Sequence, residues 1–121
     1  MALKVRTVDG VTIITPRGML LGGKETDELR QKIVELNDAG NQQLLINLGD
    51  VNHMSSMGLT TLFLARAKYV KRNAWVKICS VGEKIRQIFV LVQLPLVFGD
   101  DLHETEEEAL ASFRAASPTR G

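Results

Sequence analysis

The sequence predicts a single α/β domain: a mixed β-sheet, opened by an antiparallel hairpin and continued by parallel strands, packed against about four helices. Three observations carry this. Two β-rich runs flank Asp9-Gly10 at the start of the chain. Beyond them, short apolar runs alternate with segments of helical periodicity, the order in which crossover helices link parallel strands. Within LLINL, Leu44 to Leu48, Leu44, Leu45 and Ile46 are consecutive apolar residues instead of alternating ones, as expected of a strand covered on both faces.

The opening strands are LKVRTV and VTIITP, joined by an Asp-Gly turn that favours a tight hairpin. After Gly22-Gly23, Leu29, Ile33 and Leu36 trace one helical face that ends near Asn37-Asp38-Ala39-Gly40. QQLLINLG follows as a central strand. From Ser56 to Asn73, Leu59, Leu62, Phe63, Ala67 and Val70 predict a second helix, with Asn73 able to take the left-handed stop. WVKICSV is the next strand, and Ile85, Ile88, Phe89 and Val92 predict a third helix halted by Pro95. The short run LVFG reads as one more strand. Thr105 and Glu108 have the T-x-x-E spacing of a capping box, so a last helix is expected to reach about Phe113. The domain is thus placed at residues 1–113, with a flexible tail at 114–121.

Composition narrows the functional classes. Fifteen Lys and Arg against 14 Asp and Glu give a net charge of +1, so no global field points to nucleic acid or an anionic membrane. Lys68, Lys71 and Arg72 lie in the last turns of the second helix, where cations complement the helix dipole without any partner. No apolar stretch approaches the ~20 residues that span a bilayer, and the N-terminus lacks a signal-peptide core. A cytoplasmic protein is expected. The lone Cys79 permits no internal disulfide and reads as a small buried hydrophobe.

Several chemical motifs fail on inspection. GMLLGGKE, Gly18 to Glu25, satisfies G-x-x-x-x-G-K, but Glu25 stands where a magnesium-binding Ser or Thr is needed, and Met19, Leu20 and Leu21 suit a strand. Asp50, His53 and Ser56 supply the residue types of a triad without a glycine elbow around the serine. His53 and His103 are too few and too scattered for a metal site. No cofactor, no metal and no enzymatic activity are expected.

HMSSMGL, His53 to Leu59, is the informative stretch, because it lies where a strand hands over to a helix at the sheet edge on which α/β proteins build sites. Serine caps a helix by accepting from a free first-turn amide, and one serine suffices for that. The other is a physically sensible phosphoacceptor, since free amides and the positive dipole end tolerate added charge. Met54 reads as packing; Met57 fits packing or an adaptable contact surface.

The run LLINLGDVNHMSSMGLTTLFLARAKYVKRN, with WVKICSVGEKIRQIF and EEEALASF, resembles the STAS domain family, over about residues 3 to 113. Its small members are anti-sigma factor antagonists, in which an Asp-Ser-Ser/Thr-Gly-Leu turn opens a helix. The resemblance places the family's phosphorylated serine on Ser56 and leaves the cap to Ser55. It implies a partner surface of Gly22, Gly23, Lys24, Ser55, Ser56, Met57, Gly58 and Leu59. It also implies two partners: an anti-sigma factor that is a serine kinase, supplying ATP and magnesium, and a serine phosphatase. This chain departs from the family pattern at Asn47 and Ser55, both usually Asp, and at Met57, usually a hydroxyl residue. A STAS scaffold or accessory subunit without a phosphorylation cycle, in a signalling assembly or transport complex, is the alternative. The sequence sets no oligomeric state.

Overall fold

The computed structural model describes residues 3–115. Strands β1 (Leu3–Val8) and β2 (Val11–Pro16) form the expected hairpin, with Asp9 at φ 51° and Gly10 at φ 80° in the mirror-image turn that matches strand twist. β4 (Gln43–Asn47) and β6 (Trp75–Cys79) add in parallel, and β7 (Leu102–His103) closes a five-stranded sheet ordered β1-β2-β4-β6-β7. Two further strands, β3 (Gly18–Leu20) and β5 (Val51–Met54), pair in parallel as a separate ribbon.

Alternation within the central strands divides the core. Leu44 and Ile46 of β4 and Val76 and Ile78 of β6 point into the larger cluster, which takes in α1 (Lys24–Asp38), α2 (Ser56–Lys71), α3 (Glu83–Leu91) and α4 (Leu94–Phe98). Leu45 and Cys79 face the opposite side and meet Ala109 and Phe113 of α5 (Glu106–Ala115). A run of consecutive apolar residues is therefore needed, because both sheet faces are covered. Burial pushes the Cys79 thiol up to about 11, against the opposing Ser80 hydrogen bond, so it is an inert part of this layer.

Lys77 shares the α5 face yet is only 3% exposed. Its ammonium bonds Asp101 at 2.9 Å and lies 5.2 Å from the centres of the Trp75 and Phe113 rings. Asp101, in a short 3₁₀ turn at Gly99–Asp101, also binds Arg66 of α2, whose guanidinium covers Phe98. One carboxylate thereby ties both helical layers to the sheet edge.

Several sequence expectations are corrected. LVFG is helical, not extended: Gln93 takes a left-handed conformation that ends α3, and Pro95 falls in the first turn of α4, where its missing N–H costs nothing. Pro95 thus begins a helix instead of halting one, the described helices number five, and the late strand is Leu102–His103. On α2 the buried stripe is Leu59, Leu62, Ala65 and Tyr69, while Ala67 and Val70 are exposed; Val92 is exposed as well. The Thr105 cap holds, accepting from the Glu108 amide at 3.1 Å. Residues 114 and 115 belong to α5, and the rest of the expected tail lies outside the described residues.

Arg72 is engaged: it donates to the Asn37 side chain and the Asn41 carbonyl, both at 2.7 Å, joining the C-terminal ends of α1 and α2. Asn73 takes the left-handed stop at φ 58°. No helix among the described residues is long and apolar enough to cross a membrane.

Candidate functional site

The paired ends of β3 and β5 deliver the chain to one corner. Leu20 lies opposite Met54, and the next residue, Ser55, donates its backbone N–H to the Leu20 carbonyl at 3.0 Å. Ser55 caps α2, its Oγ accepting from the Met57 amide at 3.2 Å and lying 3.4 Å from the Leu20 carbonyl, to which the hydroxyl donates. A carboxylate could accept the same amide but could not donate to that carbonyl, so serine suits this corner in a way aspartate does not.

Ser56 is the first helical residue and is exposed. Its carbonyl accepts from Thr60 Oγ1 at 2.8 Å, while no hydrogen bond engages its own hydroxyl among the described residues. The first turn of α2 carries no acidic side chain. The two adjacent serines therefore differ physically: one is consumed by the cap, and the other projects an unengaged nucleophilic oxygen beside the positive end of a helix dipole.

Gly58 owes its place to internal packing. A Cβ there would stand 2.7 Å from both the Leu20 carbonyl oxygen and Met54 Cγ, so α2 starts against the end of β3 without room for a methyl group. Leu59 is buried at 7% exposure. Met54 packs inward as expected, whereas Met57 is 55% exposed, and its Cγ lies 3.0 Å from where a Gly22 Cβ would be. Gly22, at φ +97°, donates its amide to Thr26 Oγ1 at 2.9 Å. Lys24 starts α1 as an exposed cation, and Gly23 is open to solvent.

The structure thus gathers the sequence-derived residues at one corner but divides their work. Gly58 and Leu59 build it from within, and Gly23, Lys24, Ser56 and Met57 form its outer face. Sequence reasoning read Met19, Leu20 and Leu21 as strand residues but missed β5 and the β3–β5 pairing that holds the corner, with Met19 and Leu21 exposed on either side of buried Leu20.

The discarded motifs stay apart. Residues 18–20 of the G-x-x-x-x-G-K match are a strand, and the Gly22 amide is taken by Thr26. No hydrogen bond links Asp50, His53 and Ser56. Among the described residues, no three His, Cys, Asp or Glu side chains are grouped as a metal would need.

Asn47 uses both ends of its amide, donating as well as accepting, which a carboxylate could not do. Its Oδ1 accepts from the Gly49 amide at 2.8 Å, and its Nδ2 donates to Glu106 Oε1 at 2.9 Å, an oxygen that also receives Arg6. Partial burial alone would raise the Glu106 pKa, but the Arg6 and Asn47 hydrogen bonds outweigh it and hold the carboxyl below its usual range.

Comparison with known proteins fits this architecture. The family model for the STAS domain matches residues 2–109. A candidate anti-sigma factor antagonist, BtrV of Bordetella bronchiseptica, is 22% identical over 118 residues, covering 98% of this chain and 99% of its own. Among solved structures, an anti-sigma factor antagonist from Mycobacterium paratuberculosis is 26% identical with a TM-score of 0.77, covering 93% of this chain and 92% of that one. The anti-sigma factor antagonist SpoIIAA in its unphosphorylated form is 19% identical with a TM-score of 0.74, covering 95% of this chain and all of its own.

Proposed function

This chain belongs to the STAS domain family, and on that premise we propose that it is an anti-sigma factor antagonist switched by phosphorylation of Ser56. The unphosphorylated protein binds an anti-sigma factor that is also a serine kinase, through the corner formed by Gly22, Gly23, Lys24 and residues 55–59. Capture of that kinase in the cytoplasm frees its sigma factor. The kinase brings ATP and magnesium and transfers a phosphoryl group to Ser56; a serine phosphatase removes it. The chain is ligand and phosphoacceptor, with no chemistry of its own.

The single observation that carries this reading is the division between the two serines. Ser55 Oγ is committed to the Met57 amide, while Ser56 is exposed with its hydroxyl unengaged. A phosphate on Ser56 would add nearly two negative charges at the partner surface without displacing the cap or any buried group. The fold would stay intact and the binding face would change sign.

The test is incubation with the cognate kinase and ATP, followed by mass spectrometry. One phosphate on Ser56, its loss in Ser56→Ala and weakened kinase binding by Ser56→Asp are expected. Labelling at Ser55, or binding undiminished in Ser56→Asp, refutes the switch and favours a STAS scaffold that holds partners without a phosphorylation cycle.

A further inference from the structure

The surface beside Ser56 is more apolar than a phosphoacceptor requires. Met57 is 55% exposed, and Met19 and Leu21 are each 49% exposed, while Leu20 between them is buried. Met57 and Leu21 adjoin in space: Met57 lies over Gly22, the residue after Leu21, with its Cγ 3.0 Å and its Cβ 3.2 Å from where a Gly22 Cβ would be. Met19 stands two residues before Leu21, on the same side of the extended chain. The polar groups expected around them are spent or missing. Ser55 commits its hydroxyl to the Met57 amide and the Leu20 carbonyl, and the first turn of α2 has no acidic side chain.

Whatever phosphorylates Ser56 must cover these side chains. Phosphoryl transfer brings the γ-phosphorus of ATP to about 3–3.5 Å from the Ser56 oxygen, so the enzyme's surface closes over the next residue, Met57, and over Gly22 beneath it. A thioether is a weak acceptor, and a polar group pressed against it would lose water without gaining a partner. A pocket of aliphatic or aromatic carbon instead gains by covering it. The stem of Met57 is already held against Gly22, whose φ of +97° favours glycine, so little freedom is lost when the exposed end is covered. Resting on the reading of Ser56 as the switch, we propose that Met57 and Leu21, with Met19 at the margin, form an apolar contact that selects a kinase carrying a matching apolar pocket beside its catalytic site.

The experiment measures Kd for the cognate kinase, and KM and kcat for phosphorylation of Ser56, using the full chain. Met57→Gln keeps the length and helix propensity of the side chain but adds an amide; it should weaken binding and raise KM about fivefold with kcat unchanged. Met57→Leu, which stays apolar, should remain within about twofold of the unsubstituted chain. Leu21→Gln should match Met57→Gln, Met19→Gln should cost about twofold, and the three together at least about twentyfold. Leu91→Gln, at an 81% exposed site of α3, is the control and should change nothing. Undiminished binding by Met57→Gln, tighter binding by Met57→Ser, or an equal loss in Leu91→Gln would overturn the proposal while leaving phosphorylation of Ser56 standing. Absence of any phosphate on Ser56 of the unsubstituted chain would overturn the switch and this contact together.

Discussion

Gly58→Ala tests how tightly the start of α2 is packed against the end of β3. In an open helix this substitution stabilises by up to ~1 kcal/mol through propensity. Here the new Cβ would sit 2.7 Å from the Leu20 carbonyl oxygen, 2.7 Å from Met54 Cγ and 3.0 Å from Leu20 Cβ. Met54 is buried and cannot swing into water. The Leu20 carbonyl cannot retreat without lengthening the 3.0 Å bond from the Ser55 amide. Overpacking of this kind costs ~1–3 kcal/mol, and loosening the Ser55 bonds adds about 1 more. The net expectation is a loss of about 2 kcal/mol, or roughly 6–12 °C in Tm for a domain of this size. Thermal unfolding followed by circular dichroism measures it, with Gly23→Ala as the control, since a Cβ there meets nothing within 4 Å. A Tm for Gly58→Ala equal to or above that of the unsubstituted protein would refute the packing argument.

Other consequences are equally direct. Asp101→Asn leaves Lys77 and Arg66 partly buried without their shared carboxylate, and urea unfolding should show a loss of about 3–5 kcal/mol, typical of breaking a buried pair. Asn47→Asp sets a second carboxylate against Glu106, so it should lower Tm at pH 7 and approach the unsubstituted protein as the pH falls toward 4. Because the folded Glu106 pKa lies below its ordinary 4.5, its contribution is fully present above pH 4.5 and is lost as pH falls through the folded value. Glu106→Gln should flatten that acid limb of the stability curve.

Much of this fold is legible where one local rule decides the outcome. Asp9-Gly10 specifies its hairpin, Leu44 to Ile46 specify a strand covered on both sides, and Thr105 specifies a helix start. Reading fails where two local signals compete. Pro95 can stop one helix or begin another, and left-handed Gln93, unremarkable in sequence, decides for the second. The apolar stripe of α2 also misleads, because Ala67 and Val70 are apolar without being buried, while Tyr69 is taken inside by its bond to Asn41. At the site, the division between Ser55 and Ser56 follows from cap chemistry alone. Gly58's close approach to Leu20 does not, since it needs β3 to pair with a four-residue β5 that no local pattern marks as a strand. The acceptor of the Asn47 amide lies 59 residues away, in Glu106, where no local rule reaches.

The central claim is that a phosphate on Ser56 changes the binding face while leaving the fold alone. The direct measurement is the affinity of the cognate anti-sigma kinase for this chain, unphosphorylated and stoichiometrically phosphorylated on Ser56, with Tm recorded for both forms. The account predicts at least a tenfold loss of affinity, or ~1.4 kcal/mol, with Tm changed by no more than a few degrees. Equal affinity for the two forms, or a phosphorylated chain that unfolds at much lower temperature, would contradict it.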